Sequence, residues 1–282
     1  VDRPHPVGEP VVADLPPRFA AWFAARSWSL RPHQQALLDT AAAGRSALLI
    51  APTGAGKTLA GFLPSLVELA ARGKPKPGTA RRGVHTLYIS PLKALAVDIA
   101  RNLEAPVAEM GLPVTVETRT GDTPAHKRQR QRLNPPDILL TTPEQLALLV
   151  ASSDAERIFD GLAAVVLDEL HALVTSKRGD LLALGLARLR ALAPAARFTG
   201  LSATVADPDQ LRGWLMPQKV GGGDCSEAAD AEGNGRLADL VTVPGGASPD
   251  ITILASRRGC PGPAIRRAMP CRRCWRRSPA TA

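Results

Sequence analysis

The first 224 residues contain no cysteine; the four present, Cys225, Cys260, Cys271 and Cys274, fall in the last quarter of the 282-residue chain. Cys271-Arg-Arg-Cys274 has the spacing of half a zinc site. No histidine lies beyond His171 to complete it, and Cys225 and Cys260 could serve only at an unusual spacing. Four free thiols in a reducing compartment are expected. Long hydrophobic runs are also absent. The helix candidate over 59–70 is broken by Pro64 and Glu68, so no membrane span is predicted. Val1-Asp-Arg-Pro-His-Pro-Val-Gly8 has no apolar signal core, and a cytoplasmic location is the default. Lysine, aspartate and glutamate are missing after Asp250, where eight arginines lie. Those arginines account for all but one unit of the formal charge of +9. The first 250 residues are therefore nearly neutral, and the high pI is no argument that the folded part binds nucleic acid.

What is present centres on Ala51-Pro-Thr-Gly-Ala-Gly-Lys-Thr58. It follows Ser46-Ala-Leu-Leu-Ile50, which reads as a buried strand, and precedes a mostly apolar helix over 59–70. Strand, Gly-rich turn, Lys-Thr and helix are the context of a P-loop. Without side chains at Gly54 and Gly56, backbone N–H groups can wrap a phosphate at the positive end of the following helix. The motif places Lys57 on the β- and γ-phosphates and the Thr58 hydroxyl on Mg²⁺, with Thr53 and Ala55 completing the loop.

Strands and helices alternate along the chain. Further strands are expected over 84–89, 114–118, 137–141, 162–167 and 198–201, and helices over 17–28, 31–39, from Leu92 towards Met110, from Thr142, over 181–192 and from an Asp207 cap to Trp214. The basic run 126–132 could touch phosphates, but a solvated helix face is the commoner explanation for such a run. This alternation predicts an α/β fold, a mostly parallel sheet with helices on both faces. In such sheets ligands bind outside the carboxyl ends of the strands, where the polar clusters fall. Asp168-Glu169 ends the apolar run 162–167. Asp168 can hold Mg²⁺ opposite Thr58, and Glu169 can orient or deprotonate an attacking water. Gln34 stands at a helix start, where its amide can read an adenine edge.

Gly54-Ala-Gly-Lys-Thr58, Asp168-Glu-Leu-His171 and Ser202-Ala-Thr204 together resemble motifs I, II and III of superfamily-two DEXH-box helicases. Arg31-Pro-His-Gln34 resembles the adenine-reading motif. Pro91-Leu-Lys-Ala-Leu95, Arg119-Thr-Gly-Asp122 and Thr142-Pro-Glu144 resemble the nucleic-acid-contacting motifs. With Ser176-Lys-Arg-Gly179 after motif II, the resemblance is to Lhr-like, ligase-associated helicases of DNA repair, over roughly residues 17 to 254. It implies a RecA-like fold and ATP hydrolysis with Mg²⁺, coupled to movement along nucleic acid, more specifically DNA. It implies that Lys57, Thr58, Asp168 and Glu169 carry ATP and Mg²⁺. His171, Ser202 and Thr204 would couple hydrolysis to movement. Pro91, Lys93, Arg119, Gly121, Thr142 and Pro143 would lie along one sugar-phosphate backbone. DNA-repair or ligase-associated proteins would be partners. His171 alone reads equally as a histidine satisfying a neighbouring loop.

The expected organisation is an N-terminal lead over 1–30, the ATP-binding domain over 31–216, a linker over 217–255 towards a second domain, and a basic tail over 256–282. The family hydrolyses ATP between two lobes, the second supplying arginine fingers. The change in composition at about Ser256 reads as out-of-frame translation of a GC-rich gene, giving a truncated and weakly active product; a basic tail gripping nucleic acid is the competing reading. Two further readings stand beside the helicase: another translocase of the superfamily, and a non-catalytic nucleic-acid-binding or interaction fragment. A small-molecule P-loop kinase leaves Ser202-Ala-Thr204 and Thr142-Pro-Glu144 unexplained.

Overall fold

The computed structural model describes residues 15–73, 83–203, 205–217 and 237–244. In chain order these form α1 (Pro17–Ala25), α2 (Pro32–Ala42), β1 (Ala47–Ile50), α3 (Lys57–Arg72), β2 (Thr86–Ile89), α4 (Lys93–Glu109), β3 (Val116–Arg119), α5 (Ala125–Leu133) and β4 (Ile138–Thr141). They continue through α6 (Pro143–Val150), α7 (Ala155–Ile158), β5 (Ala164–Leu167), α8 (Leu170–Val174), α9 (Lys177–Leu192), β6 (Arg197–Ser202), α10 (Pro208–Trp214) and β7 (Asp239–Thr242).

The seven strands make one sheet, ordered β3-β4-β2-β5-β6-β1-β7, and every pairing is parallel. Alternation along each strand divides the core in two. Leu49, Tyr88, Ile138, Leu140 and Val166 join one apolar cluster with residues of α1, α2, α3 and α4. Leu48, Leu87, Ile89, Leu139, Val165 and Leu167 join another with residues of α6 to α10. Successive side chains point to opposite faces, so a sheet covered on both sides needs apolar residues at nearly every position. The runs Ala-Leu-Leu-Ile and Ala-Val-Val-Leu meet that need.

Three expectations need correction, and one helix starts earlier than expected. Residues 15–30 are not a separate lead: Phe19, Trp22 and Phe23 of α1 are buried in the first cluster, because three aromatics on one short helix need a core to cover them. The run 238–243, placed in the linker, contributes β7 to the sheet. Asp239 anchors it through Arg45 at 3.2 Å, and its N–H donates to Ser46 O at 2.9 Å. The basic helix α5 is not simply solvated. Arg128 donates to Thr123 O and Gly121 O, Arg130 to Glu117, and Arg132 pairs with Asp154. The helix expected over 181–192 begins earlier: after Asp168 the chain turns through α8, and α9 starts at Lys177. The four cysteines, the tail from 256 and Thr204 lie outside the described residues.

Candidate functional site

The carboxyl ends of β1, β5 and β6 converge. After β1, the chain turns through Gly54 at φ +83° and Gly56 at φ +79°, a left-handed conformation that favours glycine. A Cβ placed on Gly54 would meet nothing within 4 Å, so the loop presents its backbone to open space. Lys57 opens α3. Its side chain is buried and its ammonium donates to Ala51 O at 2.8 Å, folding over its own loop. Thr58 is half-buried, and Thr53 is exposed.

The start of α2 is fastened to this loop. Arg31 Nη1 donates to Ala55 O at 2.7 Å, and the Arg31 N–H donates to Gln34 Oε1 at 3.0 Å. Gln34 is buried, and its Nε2 lies 3.6 Å from where a Gly56 Cβ would stand. The amide therefore uses one acceptor site internally and keeps both N–H donors for a neighbour.

Asp168 ends β5, with 5 % of its surface exposed. Burial pushes its carboxyl above the ordinary range; the nearby Tyr88 hydroxyl and Lys57 ammonium pull the other way. Tyr88 itself is buried, its hydroxyl without a partner in ordinary hydrogen-bond geometry, and burial beside Asp168 raises its pKa strongly. Glu169 takes φ +46°, a strained backbone for a side chain with a Cβ, and its N–H donates to Asp168 Oδ1 at 3.0 Å. Its carboxylate lies 3.6 Å from His171 Nε2, and His171 Nδ1 is 2.8 Å from the buried Ser202 hydroxyl at the end of β6. Three residues named from sequence, in the turn after β5, in α8 and at the end of β6, thus form one contact chain.

Among the described residues, no three His, Cys, Asp or Glu side chains gather as a metal cluster. A divalent cation here would have Asp168 and Thr58, a sparse oxygen set that suits Mg²⁺, which takes its other ligands from water and phosphate. The open P-loop backbone, the adjacent ammonium and this oxygen pair fit a nucleotide with its cation.

The ends of β2, β3 and β4 carry the second group. Pro91 is half-buried, and Lys93 and Gly121 are exposed. Lys93 Nζ lies 3.0 Å from Asp122 Oδ1, so its ammonium is paired rather than free. Arg119, Thr142 and Pro143 are buried. Arg119 Nε has no partner, and burial, then neighbouring Arg128 and Arg132, push its guanidinium below its ordinary range. The accessible part of this surface is therefore Lys93, Gly121 and the turns around them.

Sequence reasoning assigned no role to Arg31, Tyr88 or Arg178. Arg31 and Arg178 stood within the quoted motifs; Tyr88 carried no signal beyond being the chain's one tyrosine. Arg178 donates to both Glu144 oxygens and to Pro91 O. A cavity of about 640 Å³ lies at the opposite, amino edge, between Phe159–Leu162 and Leu192–Ala195, away from these groups.

The DEAD/DEAH box helicase family matches residues 31–211. The chain is 44 % identical over 223 residues to a Lhr helicase/probable uracil glycosylase of Mycolicibacterium smegmatis, covering 73 % of this chain and 14 % of that protein. It is 43 % identical over 211 residues to the Lhr helicase/uracil glycosylase of Escherichia coli, covering 68 % of this chain and 14 % of the relative. The structure of Mycobacterium smegmatis helicase Lhr bound to ssDNA and AMP-PNP superposes with a TM-score of 0.68 at 36 % identity, over 83 % of this chain and 28 % of that one. The chain thus spans about a seventh of the length of these two curated relatives. With the P-loop, the acidic pair and Ser202 at the carboxyl ends of adjacent strands of a RecA-like sheet, and His171 in contact with Ser202, the chain belongs to the DEAD/DEAH box helicase family.

Proposed function

We propose that this chain supplies the nucleotide-binding lobe of an ATP-dependent DNA helicase. The observation that carries the reading is the division of one sheet edge. Nucleotide-type groups end β1, β5 and β6, and strand-type groups end β3, β4 and β2, so the order β3-β4-β2-β5-β6-β1 sets the two halves side by side.

In this reading Thr53, Gly54, Ala55 and Gly56 give backbone N–H groups to the phosphates. Lys57 exchanges Ala51 O for the β- and γ-phosphate oxygens. Gln34 donates to the adenine edge. Thr58 and Asp168 would hold Mg²⁺, which would supply positive charge against the negative charge of the phosphate oxygens. Glu169 orients or deprotonates water, its carboxylate lying 3.6 Å from His171 Nε2. His171 and Ser202, with Thr204, register the change at Glu169 on β6. Lys93 and Gly121 meet the sugar-phosphate backbone. Pro91, Arg119, Thr142 and Pro143 shape the surface beneath, a role that the burial of Arg119, Thr142 and Pro143 and the half-burial of Pro91 suit better than direct contact. The ssDNA in the solved Lhr structure supports DNA as the strand. A repair setting, with repair or ligase-associated partners, follows from the resemblance, and the cytoplasm is the default compartment for it. No helix among the described residues is long and apolar enough to cross a membrane.

The test is ATP hydrolysis by the purified 282-residue chain, with and without single-stranded DNA, beside Lys57→Ala and Glu169→Gln. The chain alone is expected to bind nucleotide and turn over slowly, because loss of an arginine finger from a second lobe costs ~10³ or more. Lys57→Ala should abolish binding. Glu169→Gln should keep binding and lower turnover by about 10² or more. Nucleotide affinity unchanged in Lys57→Ala would replace this reading with the non-catalytic one.

A further inference from the structure

We infer that Arg178 is a positioning residue: it fixes the shape of the strand-receiving surface without itself touching the strand. The inference rests on the reading above. Arg178 stands in the first turn of α9, where the positive end of the helix disfavours a cation. Its guanidinium has turned to three acceptors, two in the first turn of α6 and one in the turn before α4. Nε lies 2.5 Å from Glu144 Oε1, Nη2 3.1 Å from Glu144 Oε2, and Nη1 2.7 Å from Pro91 O. Glu144 opens α6 after β4, and Pro91 belongs to the turn between β2 and α4. These are the turns that carry Thr142-Pro143 and Lys93.

The third body tied in is the α8–α9 turn, which follows Glu169 and His171. Its fit is close. Gly179 N–H donates to Ser176 O at 2.7 Å, and a Cβ on Gly179 would come within 2.3 Å of Leu173 O. Only a glycine lets α9 start so near α8, and that start sets Arg178 between the two loops. A planar fork with five donors can serve a carboxylate and a carbonyl together; an ammonium on a flexible stem cannot hold the same three directions. All three acceptors belong to the protein, so this guanidinium is committed to them and not to a phosphate. Lys93 differs: its ammonium is exposed and paired only with exposed Asp122.

Salt dependence separates the two roles. A residue that neutralises a phosphate of a single strand contributes about 0.7 to the slope of log affinity against log salt, and a residue that only positions others contributes none. The experiment is fluorescence anisotropy of a labelled oligo-dT with the full 282-residue chain and AMP-PNP across a salt series, for wild type, Arg178→Ala, Arg178→Lys and Lys93→Ala. Affinity for a fluorescent ATP analogue is read on the same samples. Arg178→Ala should weaken oligo-dT binding about fivefold to tenfold, about 1–1.4 kcal/mol, with the slope unchanged and ATP-analogue affinity within about twofold. Arg178→Lys should fall between, and it decides the matter if the alanine variant does not fold. Lys93→Ala should weaken binding and lower the slope by about 0.7. Wild-type affinity in Arg178→Ala overturns the inference while the Lys93→Ala loss leaves the functional reading standing. A slope lowered in Arg178→Ala makes Arg178 a phosphate contact and overturns it also. A wild-type chain with no affinity for oligo-dT overturns the functional reading, and the inference with it.

Discussion

Hydrogen bonds from Arg178 hold the Glu144 carboxyl at about 2, with its own backbone N–H and the Thr142 hydroxyl adding to them against partial burial. A carboxyl depressed in the folded state contributes stability that is present above its ordinary value near ~4.3 and lost as the pH falls towards 2. The pair is about half exposed, so the contribution at neutral pH is about 1 kcal/mol or less. Wild type should therefore melt slightly above Glu144→Gln at pH 7, and the gap should close between about pH 4 and pH 2; a gap constant with pH would exclude the ion pair as its source. At this scale the sequence was informative where chemistry is local. Lys57 and Thr58 follow their glycines directly, and Asp168-Glu169 directly ends an apolar run. The Arg178 bridge could not be read, because its partners stand 34 and 87 residues away. The burial of Arg119 and Thr142 was equally hidden, being set by how β3 and β4 are covered and not by their own neighbours in sequence.

The P-loop helix α3 is fixed to the sheet by a stacked pair, Phe62 against Tyr88, with centroids 4.7 Å apart and rings 13° from parallel. Both are fully buried. Phe62→Ala should cost about 3–5 kcal/mol, read as a lower urea midpoint with the m-value unchanged. A cost under about 1 kcal/mol would mean that α3 is held elsewhere, by its other buried side chains. Long elements were readable because a continuous apolar strand or a 3.6-residue period needs only a local window. The short ones were not. Five-residue α8 completes barely more than a turn, too little for a period to show. β7 alternates half-buried and exposed residues as an edge strand does, and its partner β1 stands almost two hundred residues upstream. A pairing so distant in sequence has no local signature, and the Gly-rich stretch before it suggested a linker instead.

For the whole molecule, nucleotide that binds only the folded state must raise the melting temperature. At about one hundred times its dissociation constant, AMP-PNP should add about 2.7 kcal/mol, a rise of roughly 5–10 °C for a domain of this size, and Lys57→Ala should remove the rise. An equal rise in both proteins would place the nucleotide somewhere other than the P-loop. The parallel α/β class was readable from alternation alone, since right-handed crossovers leave few arrangements. The strand order was not, because it depends on which distant strands meet. That order has a mechanical consequence. β7 runs alongside β1 over four paired positions, and Val243 N–H closes onto Ile50 O immediately before the P-loop. Tension drawn through residue 244 along the strand would load these bonds in shear, all together, instead of peeling them singly. The strand that reacts the pull is the one whose end carries Gly54 and Gly56, so force on the chain beyond β7 and the posture of the phosphate loop meet at a single joint.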